Sequence, residues 1–154
     1  MQEKEILDVL KIILDRIGRK KFTWRLEGSA NLMVQGVDVE VNDIDILTDK
    51  NNYKIFKEAL KDFVVKEEYI NSKKEQSLLC NINDFDVEIL YYDVNEWNMF
   101  DKIKRIEWRW LELPVLPLEY AKKFYEMIEK DEKVKLIDEK LKHPNSQLPL
   151  RASE

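Results

Sequence analysis

Two carboxylates spaced two residues apart on a predicted strand constrain the fold of this chain more than any other feature. Asp43 and Asp45 alternate with Ile44 and Ile46, and successive side chains of a strand point to opposite faces. The two aspartates therefore share one face, and the two isoleucines turn into the core. Because two like charges held side by side cost free energy, this pair predicts a cation or a proton bound between them.

A Gly-Ser pair closes the predicted strand that precedes the aspartates. Gly28 and Ser29 follow the alternating residues 22–27 and stand before the short apolar run 30–34. Ser29 is a favoured helix N-cap, and a glycine lets a ligand approach the main chain closely. Backbone N–H groups at the start of a helix bind phosphate. Together with the aspartates, this turn predicts a divalent metal beside a phosphate.

The remaining hydrophobic pattern predicts an α+β domain, a mixed β-sheet flanked by helices with a helical C-terminus. Apolar runs at 77–82 and 85–90 flank Asn83 and Asp84, which predicts a strand, a tight turn and a second strand. The Lys/Glu-rich stretches 57–75 and 129–142 predict solvated helix faces. We expect a single domain over 1–154, with its core at about 20–92 and a helical part at about 117–142.

Composition narrows the class of protein without naming an activity. Charged residues make up 37% of the 154, mostly Lys and Glu, a pattern reported for heat-adapted proteins. The net charge of −5 argues against an extended nucleic-acid surface. Cys80 is the only cysteine, so no disulfide framework exists and a cytoplasmic setting is expected. No apolar run reaches membrane-spanning length, so no membrane partner is expected.

The two motifs resemble those of the DNA polymerase β-like nucleotidyltransferase superfamily. The shared pattern is Leu26-Glu27-Gly28-Ser29 followed by Asp43-Ile44-Asp45-Ile46, and the residue before the glycine is usually apolar in that family. The superfamily has a third carboxylate on a neighbouring strand, which Val87-Glu88-Ile89-Leu90 matches at Glu88, with Asp86 as competitor. The size and the helical C-terminus are similar to those of small stand-alone enzymes related to lincosamide-type antibiotic nucleotidyltransferases.

This resemblance implies a specific reaction and a role for each motif residue. Asp43, Asp45 and Glu88 would bind two Mg²⁺ or Mn²⁺ ions, and Gly28 and Ser29 would hold the β- and γ-phosphates of a nucleoside triphosphate such as ATP. An acceptor hydroxyl, helped by Glu88, would attack the α-phosphate in line, and pyrophosphate would leave.

Relatives of this size also often use a basic-acidic stretch near the C-terminus and complete the acceptor site across a subunit interface. Lys130-Asp131 is the candidate for that stretch, and a homodimer is a further expectation.

Three functions remain open on the sequence alone. The leading hypothesis is a metal-dependent nucleotidyltransferase that acts on a small molecule, an RNA end or a protein hydroxyl. The second is a nucleotide-binding regulatory module that kept the fold and lost turnover. The third is a nucleotidyltransferase that serves as the toxin of a toxin–antitoxin pair. The residues do not identify the acceptor.

Overall fold

A computed structural model describes residues 1–18, 22–93 and 100–143. Within these ranges the chain forms five α-helices and one seven-stranded sheet. The helices are α1 (Glu3–Ile17), α2 (Gly28–Val34), α3 (Lys50–Ala59), α4 (Leu118–Met127) and α5 (Asp131–Lys142), with a 3₁₀ turn at Lys61–Phe63. The strands are β1 (Trp24–Glu27), β2 (Ile44–Thr48), β3 (Val64–Ile70), β4 (Glu75–Ile82), β5 (Phe85–Tyr92), β6 (Lys104–Trp108) and β7 (Leu111–Val115). Among the helices described, none has the length and apolar character needed to cross a bilayer.

The sheet is mixed, and its central strand carries Asp45. The strand order is β3-β4-β5-β2-β1-β7-β6. Strand β2 runs antiparallel to β1 on one side and parallel to β5 on the other. This arrangement confirms the predicted α+β fold with a mixed sheet, and it sets the carboxyl-bearing strands next to one another at the centre.

The helices α1 and α3 cover one face of the sheet, and this packing determines which side chains of β2 point into the core. Ile44 and Ile46 are fully buried there against apolar side chains of both helices. α1 supplies its buried residues at helical spacing and ends at Ile17, with Gly18 as its C-cap. The intervening side chains of β2, Asp45 and Leu47, therefore point to the opposite face.

A smaller apolar cluster joins α2 to the two C-terminal helices. Leu32 of α2 is fully buried against Ala121 and Tyr125 of α4 and Ile137 of α5. Since α2 begins at Gly28, this cluster brings the C-terminal helices close to the Gly-Ser turn.

Two strands, β3 and β7, were not predicted from the sequence. The stretch 57–75 was predicted to be a solvated helix face, but α3 ends at Ala59 and Val64–Ile70 forms edge strand β3. Its side chains are exposed on both faces between its half-buried ends, so no apolar alternation identifies it. Strand β7 contains Pro114, which normally breaks a strand. Only Val115 of β7 pairs with β1, so Pro114 does not interrupt that pairing.

Element boundaries near the motifs also differ by a residue or two. Ser29 does not cap α2, because the helix starts at Gly28 and Glu27 takes the N-cap position. The Ser29 hydroxyl is thus available for contacts outside the helix. Strand β2 begins at Ile44, which leaves Asp43 immediately before it.

Candidate functional site

Three carboxylates from three adjacent strands line up across the open face of the sheet. In the antiparallel register of β1 and β2, Glu27 lies opposite Asp45. In the parallel register of β2 and β5, Asp45 lies opposite Glu88. The row Glu27–Asp45–Glu88 therefore has Asp45 at its centre. The row contains two of the predicted acids, Asp45 and Glu88. Its third member, Glu27, was noted from the sequence only as the residue before the glycine.

The surroundings of the row raise the pKa of its central carboxylate, Asp45. Burial is the largest cause that raises the pKa of Asp45 to about 7, and the charges of Asp43, Glu88, Glu27 and Glu75 raise it further. Asp43 is exposed immediately before β2, and it contributes the largest of these charge effects. A carboxyl group in this condition gains free energy from a proton or a metal ion.

The donor set suits a hard divalent cation that shares its ligands with a substrate. No group of three or more His, Cys, Asp or Glu among the described residues forms a metal cage by itself. Mg²⁺ commonly takes one or two carboxylates and completes its shell with water and substrate phosphates. Asp45 and Glu88, which lie opposite each other across the strand pair, are two carboxylates of the kind that such a site uses, and Asp43 lies two residues before Asp45.

Of the two candidates for the third acid, Glu88 is the one in the row. Asp86 lies on the same face of β5 but is exposed near the Asn83-Asp84 turn. Glu88 is half-buried opposite Asp45, and its charge acts on the Asp45 carboxyl.

Gly28 stands against the central carboxylate. Its φ of +63° is one that side-chain-bearing residues rarely adopt, and a Cβ placed on it would lie 2.7 Å from Asp45 Oδ2. The main chain of the Gly-Ser turn thus touches the carboxylate row directly. Only glycine permits this approach.

A lysine of the C-terminal helix reaches the Gly-Ser turn. Lys133 Nζ of α5 donates a hydrogen bond to Ser29 Oγ at 3.2 Å. The predicted pair Lys130-Asp131 is exposed at the start of the same helix. The basic residue at the turn is therefore Lys133, which the sequence did not single out because many lysines surround it.

An arginine buried below the row holds Glu27. Arg25 is 1% exposed; its Nε donates to Glu27 Oε1 at 2.7 Å and its Nη1 to the Lys102 carbonyl at 3.1 Å. Burial raises the pKa of Glu27, and the Arg25 charge partly offsets that rise. Sequence reasoning missed Arg25, although the acid at position 27, where the superfamily usually has an apolar residue, was a signal for a partner.

Strand β4 contributes polar side chains next to Glu88, at the opposite end of the row from Glu27. The Ser77 hydroxyl donates to Glu88 Oε2 at 2.7 Å. Glu75 is buried on the same strand, shares a hydrogen bond with Tyr92, and has a raised pKa caused first by burial and then by the charge of Glu88. None of these three side chains was predicted from the sequence.

The row forms the polar end of a cavity of about 250 Å³ between the sheet and α4. Gly28 and the three carboxylates line one part, and Arg25 lies beneath them. The rest of the lining is aromatic or aliphatic and consists of Leu47, Leu90, Tyr92, Leu116, Phe124 and Tyr125. A pocket with an acidic end and an apolar wall suits a ligand that carries both a cationic or metal-bound group and ring systems.

Known structures share this fold across almost the whole chain. A Thermotoga maritima protein assigned as a nucleotidyltransferase is 29% identical, with 93% of this chain and 96% of that chain covered and a TM-score of 0.73. The lincosamide antibiotic adenylyltransferase LnuA, in its lincomycin-bound structure, is 16% identical, with 90% and 97% covered and a TM-score of 0.60. ANT(2'')-Ia, in complex with adenylyl-2''-tobramycin, is 12% identical, with 89% and 90% covered and a TM-score of 0.59. At such low identity the last two show the fold alone.

The Thermotoga maritima protein and the family model that residues 9–140 match define a nucleotidyltransferase, which confirms the predicted superfamily and enzyme class. No protein of curated function matches the sequence significantly. Residues 9–140 match the model of the aminoglycoside-2''-adenylyltransferase family, and the chain belongs to that family.

Proposed function

We propose that this enzyme transfers a nucleoside monophosphate from a nucleoside triphosphate to an acceptor hydroxyl in a reaction that depends on Mg²⁺ or Mn²⁺. The observation that carries the proposal is the strand register that sets Asp45 opposite Glu88, with Gly28 pressed against the Asp45 carboxylate. Carboxylates held this close together are stabilised by cations. A glycine beside them lets a phosphate approach the main chain. Nucleotidyl transfer requires both.

Each residue of the site has a distinct part in this reaction. Asp43, Asp45 and Glu88 would hold two Mg²⁺ or Mn²⁺ ions, which would neutralise charge on the phosphates. Gly28 and Ser29 hold the β- and γ-phosphates through main-chain N–H groups and the serine hydroxyl. The acceptor oxygen forms a bond to the α-phosphorus, and the bond from that phosphorus to the bridging oxygen breaks. Glu88 accepts the acceptor's proton, and pyrophosphate leaves.

ATP is the proposed donor, and a hydroxyl-bearing amine is the proposed class of acceptor. The family is named for adenylyl transfer to aminoglycosides, and ANT(2'')-Ia was solved with adenylylated tobramycin. The described residues that line the cavity include three carboxylates, Glu27, Asp45 and Glu88, and one cationic side chain, Arg25. Such a lining favours a positively charged acceptor over a neutral one.

Pyrophosphate release tests the proposal directly. The enzyme is supplied with each nucleoside triphosphate and Mg²⁺, and with a panel of aminoglycosides, lincosamides and uncharged polyols. We expect release that depends on ATP, on Mg²⁺ and on an amine acceptor. Saturable nucleotide binding without release on any acceptor would instead identify the regulatory module that lost turnover.

Lys133→Ala should weaken nucleotide binding. Lys133 Nζ reaches Ser29 Oγ at the predicted phosphate turn, and a lysine binds phosphate as a point charge. We expect KM for ATP to rise roughly tenfold, since one charge-assisted contact contributes about 1.5–3 kcal/mol. Lys130→Ala removes an exposed lysine of the same segment and should leave KM unchanged. Equal effects of the two variants would remove Lys133 from the phosphate site.

Glu88→Gln and Asp86→Asn separate the two candidates for the third acid. Both changes remove one negative charge from the same face of β5. We expect the first to lower kcat by roughly 10²-fold or more, since it removes a metal ligand and proton acceptor, and the second to change it less than about threefold, within the usual range for an exposed residue. Steady-state kinetics at saturating Mg²⁺ measures both. A larger loss in Asp86→Asn would transfer the role to Asp86.

A further inference from the structure

Ser77 lies beside the third carboxylate, on the strand next to it. Its hydroxyl donates to Glu88 Oε2 at 2.7 Å, and the serine is 4% exposed. A hydroxyl buried this deeply seldom stays without a partner, and here its partner is a carboxylate of the site. The bond is charge-assisted and hence stronger than a bond between neutral groups.

The register of the sheet places Glu88 between Ser77 and Asp45. On the β4 side Leu79 lies directly opposite Glu88 and Ser77 lies opposite Leu90, so Ser77 approaches Glu88 on the diagonal. On the β2 side the neighbour of Glu88 is Asp45. The hydrogen bond anchors Oε2 toward β4, so Oε1 remains to act on the β2 side.

We propose that Ser77 is a positioning residue that fixes the Glu88 carboxylate for metal binding and proton acceptance. This inference rests on the proposed function, in which Glu88 performs both tasks. A glutamate has three side-chain torsions, so a Glu88 carboxylate without an anchor could adopt several rotamers. The hydrogen bond from the serine hydroxyl restricts these rotamers by holding Oε2. Groups that orient metal ligands in this way commonly change metal affinity or activity by about 10–100-fold when they are removed.

A purely structural role for the hydroxyl is the competing explanation, and the chain offers a matched control. Thr48 is 2% exposed on β2, and its hydroxyl donates to the Thr23 carbonyl at 2.8 Å. It alternates with Leu47 and so shares the core face with Ile44 and Ile46, away from the carboxylate row. Thr48→Val therefore removes a buried hydroxyl and its hydrogen bond without touching Glu88.

The test measures Mn²⁺ binding by electron paramagnetic resonance in the presence of a non-hydrolysable ATP analogue. We expect Ser77→Ala to raise the dissociation constant of Mn²⁺ about tenfold or more, and Thr48→Val to leave it unchanged while both variants lose similar thermal stability. Ser77→Cys, which keeps a weak donor at nearly the same volume, should recover part of the affinity. Equal Mn²⁺ affinities in Ser77→Ala and Thr48→Val would overturn the inference.

A double-mutant cycle with Glu88→Gln ties the effect to the carboxylate. If Ser77 acts through Glu88, Ser77→Ala should change Mn²⁺ affinity less than about twofold in the Glu88→Gln background, whereas independent effects would add. Additive effects would contradict the inference. Because binding needs no turnover, an enzyme that binds Mn²⁺ but never releases pyrophosphate would refute the proposed function and still decide the role of Ser77.

Discussion

Asp45→Asn is expected to abolish nucleotidyl transfer and, at the same time, to stabilise the fold. Asp45 is the centre of the carboxylate row and the residue against which Gly28 packs. Loss of its charge would weaken the proposed metal site, so we expect kcat to fall by roughly 10³-fold or more, the scale seen for a central catalytic group. Label transfer from ATP, measured beside the wild-type enzyme, gives this ratio.

The stability effect follows from the raised pKa of the same group. The Asp45 carboxyl has a pKa of about 7 in the fold against 3.8 as the reference value, so the folded state binds more protons between these limits. The wild-type free energy of unfolding therefore falls as pH rises through that window. Because the amide in Asp45→Asn does not titrate, the melting temperature of the variant should rise relative to that of the wild type up to about pH 7. Above that pH the variant should melt roughly 10 °C higher, since a shift of this size corresponds to about 4 kcal/mol.

Thermal melts at pH 5 and pH 8, in the presence of a chelator, measure this gain. A variant that is inactive and less stable at both values would show that Asp45 serves the fold rather than the chemistry. Added Mg²⁺ and nucleotide should reverse the order of melting temperatures, because they stabilise only the protein that binds them.

Gly28→Ala is expected to cause a loss of activity comparable with that of Glu88→Gln. A Cβ at this position would meet Asp45 Oδ2 at 2.7 Å, and the φ of +63° is itself unfavourable for alanine. Either the carboxylate or the turn must move, and both belong to the predicted catalytic arrangement. We expect kcat/KM for ATP to fall about 10²-fold or more, as displacements of about 1 Å do elsewhere.

Gly18→Ala is the matched control for the backbone strain. Gly18 has a φ of +70° at the end of α1, and a Cβ there would meet nothing within 4 Å. This variant should lose stability through strain of about 1–3 kcal/mol and keep the wild-type kcat/KM. Similar losses of activity in both variants would mean that strain, and not contact with Asp45, accounts for the effect of Gly28→Ala.

The fold and the two central motifs could be predicted because their signals are local. The alternation of Asp43 to Ile46 fixes which side chains face the core, and the structure confirms that both isoleucines are fully buried. Asn83 and Asp84 both take positive φ in the turn between β4 and β5, as residues of a tight hairpin do.

The rest of the site depends on distant parts of the chain that only the fold brings together. Lys133 meets Ser29 across 104 positions in sequence, through the packing of α5 near α2. Ser77 meets Glu88 through the register of β4 and β5. No periodicity marks such residues. The homodimer, the single-domain boundaries and the identity of the acceptor stay predictions.

A structure with a non-hydrolysable ATP analogue and Mn²⁺ tests the central claim most directly. Anomalous scattering locates Mn²⁺ independently of the protein atoms. We expect Mn²⁺ peaks ligated by Asp45, Asp43 and Glu88, with the β- and γ-phosphates at Gly28 and Ser29 and within reach of Lys133. Mn²⁺ and triphosphate bound together at another surface, with the carboxylate row unchanged, would contradict it.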